Sequence, residues 1–197
     1  MRTSNKIQLA SAAALLATSS LTGISSGAVT VTTGNNATAL ANAIVGTGVT
    51  IVGTPTLFSR SALQQGTFVS SPSTIVGFDS GVILSTGRAD NAVGPNSDDG
   101  VLFGTQWNTT VDDSNTIPAV QRAFNPSPIV HRDANMLSFN FTVPANSGGL
   151  TVQYVFASEE YLEFVNTGFN DSFAFVVDGQ NIALLPNGTP VTIDTVN

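Results

Sequence analysis

The stretch Leu137–Val143 does most to set the class of fold. Leu137, Phe139, Phe141 and Val143 alternate with Ser138, Asn140 and Thr142. That period of two belongs to a strand with one face in a core and the other in water. The same reading predicts strands over Thr151–Phe156, with Val152, Tyr154 and Phe156 on one face, and over Phe173–Val177. Asp178-Gly179 and Asn187-Gly188 are hairpin turns leading into Asn181–Leu185 and Val191–Val196. Shorter strands are expected at Val49–Val52, Leu57–Ser61, Gly66–Ser70, Thr74–Phe78 and Gly81–Ser85, with Val101–Thr105 a strand or a loop anchor. One helix is expected over Thr38–Val45, capped by Thr38, with Leu40, Ile44 and Val45 sharing a face. Many short strands separated by turn residues imply an all-β chain: an antiparallel β-sandwich or jelly-roll-like fold with one short N-terminal helix.

The first residues read as an export signal rather than as fold. Met1–Lys6 is basic, and Ile7–Leu21 is apolar but too short and too diluted by Ser and Thr to span a bilayer. Ser26-Gly27-Ala28 then offers the small residues that a signal peptidase takes. The expected organisation is a signal peptide over 1–28, a flexible arm over 29–37 and a single β-sandwich domain over 38–197. Further strands and an anchoring segment are expected beyond Asn197. Without the leader the chain keeps all 13 acids against Arg60, Arg88, Arg122 and Arg132, and it loses Lys6, its only lysine. Such a surface repels nucleic acid and anionic lipid, because no basic stripe can displace counterions, and it attracts cations. With no Cys, disulfides, thiol catalysis and thiolate metal sites are excluded. Stability has to come from an apolar core, which 42% hydrophobic residues can supply.

The chemistry concentrates between Tyr154 and Asp178. Ser158-Glu159-Glu160-Tyr161, Glu163-Phe164 and Phe169-Asn170-Asp171 sit between two strand-like runs in a chain that is only 10% charged. The order of Ser158–Phe164, Phe169–Phe175 and Asn181–Pro186, together with Gly77–Gly87, Gly94-Pro95-Asn96 and Leu40–Val52, resembles the choice-of-anchor L family. The resemblance runs from about Ala39 to Asn197. It implies a secreted bacterial β-rich domain joined to one of several kinds of C-terminal anchor, at the cell surface, and it leaves the activity open.

Glu159, Glu160, Glu163, Asn170 and Asp171 are the candidate metal ligands. They offer hard oxygens on one loop, which suits Ca²⁺ with its roughly 6–8 oxygen ligands. Carboxylates this close in sequence repel unless a cation or a proton relieves them. The competing reading is a solvated acidic loop with Tyr161, Phe164 and Phe169 packed beneath it. An enzymatic alternative would pair Glu160 with Asp171 as the two carboxyls of a secreted glycan-active hydrolase. His131, the only histidine, lacks a nucleophile elbow and a second histidine, so it reads as a loop residue. Trp107 reads as a partly buried anchor or a sugar platform. The expectation is therefore a non-catalytic surface module for adhesion, matrix or ligand binding, with an extracellular glycan or protein as partner. No nucleic-acid partner and no membrane span are expected.

Overall fold

The structure is a computed structural model and describes residues 5–10, 28–71, 76–93, 112–118, 130–158 and 160–196. Its strands are β1 (Asn5–Ala10), β2 (Ala28–Thr33), β3 (Thr50–Phe58), β4 (Gln65–Ser71), β5 (Ser80–Leu84), β6 (Met136–Thr142), β7 (Ser172–Val177), β8 (Gln180–Asn181) and β9 (Val191–Thr192). One α-helix, α1 (Ala37–Ile44), and a 3-10 turn at Ala89–Val93 complete the regular structure among the described residues. All strand pairings are antiparallel. The chain is all-β, as the alternation requires.

One sheet runs β3-β6-β1-β7-β8, with β9 also pairing β7, and the other is β2-β4-β5. The apolar face of β6 is as predicted, with Leu137, Phe139 and Phe141 buried; on the other face Asn140 is exposed but Ser138 is buried too, because the sheet is covered at that point. Leu137, Phe139 and Phe141 form one apolar cluster with Phe173 and Phe175 of β7, Leu40 and Ala41 of α1, Leu84 of β5 and Val191. Val29, Phe68, Ile83, Ala89 and Ala92 form a second cluster against the smaller sheet. Gly81 belongs there because an added Cβ would sit 2.9 Å from the Phe68 ring. β3 is irregular between Val52 and Thr56, where Gly53, at φ 74°, and Pro55 mark a bulge.

β1 lies between β6 and β7. Ile7 stands opposite Phe139 on one side and Val177 on the other, and Leu9 stands opposite Leu137 and Phe175. Since β1 is antiparallel to both neighbours, β6 and β7 run in the same direction. The basic start that reads as part of a removable leader thus includes residues of a central strand. Ala28–Thr33, expected as the end of the leader and the start of a flexible arm, pairs with β4 over its whole length.

Several local expectations change. α1 is capped by Asn36, not Thr38: the Asn36 Oδ1 accepts from the Ala39 N–H at 3.0 Å. Asn is the stronger cap, and starting there turns Leu40 and Ala41 to the core. Thr151–Phe156, expected as a strand, belongs to no sheet; both edges of β6 are taken, one by β3 and the other by β1. In Val191–Val196 only Val191–Thr192 is strand, because the Thr195 hydroxyl accepts from the Thr192 N–H at 2.9 Å and bends the chain into a turn. Thr74–Phe78 forms no strand in its described part, Val76–Phe78. Val101–Thr105, Trp107, Glu159 and Asn197 lie outside the described residues.

A buried polar junction ties the loops at one end. Gln64 Oε1 accepts from the N–H groups of Arg60 and Ser61, at 2.5 and 3.0 Å, and its Nε2 donates to the Asp133 carbonyl at 2.9 Å. Asn135 Nδ2 donates to the Gln64 carbonyl at 2.9 Å and to Gln65 Oε1 at 3.2 Å. Arg60 forms an ion pair with the buried Asp113. The backbone of His131 accepts from the Asp113 N–H at 2.7 Å and donates to Asp112 Oδ1 at 3.2 Å, so the histidine is a loop residue here.

Candidate functional site

The acidic segment folds as one loop closed at its base. Ser158 is buried, and its hydroxyl donates to Asp171 Oδ2 at 3.1 Å while accepting from the Glu160 N–H at 3.2 Å. One hydroxyl therefore joins the end of the extended run to the residue before β7. Within the loop, the Phe164 N–H donates to the Glu160 carbonyl at 3.0 Å, and the Thr167 N–H donates to the Phe164 carbonyl at 3.1 Å. Asn166 and Gly168 take positive φ, 59° and 94°, conformations that asparagine and glycine tolerate best. A loop whose ends meet and whose turns bond internally is an Ω-loop in outline.

A second anchor comes from the turn after β9. Asp194 Oδ1 accepts from the Asn166 N–H at 2.7 Å, and the Asp194 N–H donates to Asn170 Oδ1 at 3.2 Å. The Ile193 N–H donates to the Asp171 carbonyl at 3.0 Å. The sequence reading missed Asp194 and Asn166. An aspartate inside Val191–Val196 was the available signal, since Asp is disfavoured in strands.

Of the five candidate ligands, the Asp171 carboxylate and the Glu160 backbone N–H meet at Ser158, the Asn170 amide oxygen accepts from the Asp194 N–H, and Glu163 is exposed. Glu159 lies outside the described residues. Among the described residues, no group of three or more acidic or histidine side chains is placed to hold a metal ion. Burial pushes the Asp171 carboxyl up, and the Ser158 hydrogen bond opposes this. Burial also pushes up the phenols of Tyr154 and Tyr161.

Of the aromatic residues expected beneath the loop, Tyr161 is half-buried, whereas Phe164 and Phe169 are exposed. Leu162 is 68% exposed, Phe169 58% and Phe164 42%. The Phe164 and Phe169 rings meet edge to face with centroids 5.5 Å apart. Apolar side chains on a polar loop thus face water together. A separate cavity of about 690 Å³ is lined by Ile44, Phe78, Val82, Phe139, Tyr154 and Phe175 among others, and neither Glu160 nor Asp171 lines it. Among the described residues no helix is long and apolar enough to cross a membrane.

The family model of the choice-of-anchor L domain matches residues 27–197. Neither the curated proteins nor the solved structures contain a match to the chain.

Proposed function

The chain belongs to the choice-of-anchor L family, and on that premise we propose that it is a secreted or cell-surface module that binds rather than catalyses, with the loop Ser158–Asp171 as its contact surface. The family is one of surface-protein domains. The observation that carries the reading is the joint exposure of Leu162, Phe164 and Phe169 on a loop fixed at its base. Exposed apolar clusters rimmed by polar groups mark interaction sites. An aromatic pair beside carboxylates suits an extracellular glycan, whose C–H faces stack on rings and whose hydroxyls donate to carboxylates; a protein ligand is the competing partner.

Calcium belongs to the same proposal. Glu159, Glu160, Glu163, Asn170 and Asp171 share one loop, and the enclosed Asp171 carboxyl is a group that a cation would relieve. A ligand that binds only the folded state adds about 2.7 kcal/mol at a hundredfold excess over its dissociation constant. Hydrolysis by Glu160 and Asp171 has the raised Asp171 carboxyl in its favour. It also needs two carboxyls facing each other across a cleft, roughly 5–10 Å apart, and these two belong to one closed loop away from the cavity.

The test is glycan and matrix-protein binding by the wild type and the F164A/F169A variant, with melting measured with Ca²⁺ and with chelator. The double variant should lose about tenfold or more in affinity at an unchanged melting temperature, as expected for aromatic anchors. Ca²⁺ should raise the melting temperature of the wild type and of D112N, but not of E160Q or D171N. Unchanged binding by the double variant removes the loop as the contact surface. No Ca²⁺ heat at millimolar concentration removes the cation.

A further inference from the structure

We propose that β1 is a placeholder, and that in the exported chain Thr151–Phe156 takes its position between β6 and β7. The proposal rests on the export reading above, in which residues 1–28 are removed. Removal takes Asn5–Ala10 out of the middle of a sheet. It leaves the facing edges of β6 and β7 without the backbone partners that β1 supplies. Unpaired backbone groups in a sheet interior are costly, so the slot needs another strand.

Direction selects the replacement. β6 and β7 run the same way, so a strand between them has to run oppositely. Thr151–Phe156 lies between them in the chain, with Pro144–Leu150 available as a reversal on one side and the loop Ser158–Asp171 as the return on the other. Consecutive strands usually pair, and no crossover is needed. Register agrees as well. Pairing Phe141 with Val152, Phe139 with Tyr154 and Leu137 with Phe156 puts Tyr154 and Phe156 at the positions now held by Ile7 and Leu9. On the other side these two residues then face Val177 and Phe175, the present partners of Ile7 and Leu9. Gln153 falls on the outward face beside Asn140.

The segment is already close to that place and poorly accommodated where it is. It lies in no sheet, and Tyr154 and Val155 are exposed. Val152 and Phe156 touch the larger apolar cluster, and the Tyr154 ring lies 4.9 Å from that of Phe173. The segment also walls the cavity together with Phe139 and Phe175. Moving it into the slot converts a half-exposed alternating run into a paired strand.

A cysteine pair tests this, since the chain has no cysteine of its own. Directly opposed residues of an antiparallel pair lie within about 5.5 Å between Cα atoms, inside the disulfide range. The full chain carrying N140C and Q153C is expressed in a secreting host. Exported protein and cytoplasmic precursor are then oxidised mildly and mapped by peptide mass. The exported chain should begin near Val29 and carry the N140C–Q153C cross-link. The precursor should lack it and should instead cross-link when K6C is paired with N140C, following the Lys6–Asn140 register. Hydrogen exchange on the unmutated protein gives a second reading: amides of Thr151–Phe156 should be protected in the exported chain and exchange freely in the precursor. An exported chain that begins near Val29 but shows neither cross-link nor protection overturns the strand replacement. An exported chain that keeps Met1 overturns the processing premise, and the N-terminal peptide mass reports that separately.

Discussion

Burial pushes the Asp171 carboxyl up, whereas the hydroxyl and N–H of Ser114 hold Asp112 below the usual carboxylate range. The two acids therefore drive stability in opposite directions with pH. The folded state prefers protonated Asp171. Its contribution is fully present below the ordinary carboxylate pKa of about 3.9 and is lost as pH rises through the raised folded value. D171N should accordingly gain on the wild type, in chelator, as pH climbs from about 3 toward neutrality. Melting curves across that range check it, and a constant difference would contradict it. Asp112 works the other way: its folded value is lowered, so its contribution is present above the ordinary range and is lost as pH falls through the folded value. Exposure on the loop surface keeps that contribution small. Asn36 shows how local competition is settled. Both Asn36 and Thr38 can cap, and the start that buries Leu40 and Ala41 prevails.

At the scale of elements, β6 is the best-supported strand, flanked on both sides with Leu137, Phe139 and Phe141 buried. Phe141→Ala should cost about 3–5 kcal/mol, read from denaturant unfolding, because Phe141 is 2% exposed and its neighbours are strands that cannot collapse freely. β6, β7 and the hairpin at Asp178-Gly179 were legible in the sequence, because a two-residue period and a turn dipeptide are local signals. β1 was not. Asn5–Ala10 reads as leader because its basic start and apolar continuation are the local signal, while its place in the sheet depends on which segment reaches β6 and β7. Thr151–Phe156 carries the better strand pattern and lies outside the sheet for the same reason. The acidic loop was legible as a unit, since Glu160 and Asp171 are close in sequence. Its second anchor was not, because Asp194 arrives from a turn beyond β9. The exposure of Phe164 and Phe169 was also missed: composition places aromatics inside, and only the fold shows that neither joins an apolar cluster.

Over the whole molecule, a formal charge of −7 shapes what can approach. A neutral glycan meets no long-range barrier, whereas an anionic one is repelled until salt shortens the field from about 30 Å at 0.01 M to about 8 Å at 0.15 M. Binding to a neutral glycan should hold steady across that range while binding to a sulfated one strengthens with salt; salt-weakened binding to the sulfated glycan would show that a local basic patch governs the contact instead. The turn after β9 has a mechanical consequence. Asp194 and Ile193 hold Asn166, Asn170 and Asp171 of the loop Ser158–Asp171, and among the described residues β9 joins β7 through Ser172–Thr192 and Phe173–Val191. Tension applied at the C-terminal side of Val196 is carried by these few bonds before it reaches β6. They load in sequence, like a zip pulled from one end, so the grip of the loop yields first while the sheet interior stays intact. On the proposed binding role, pulling force would be felt as release of the ligand rather than as unfolding.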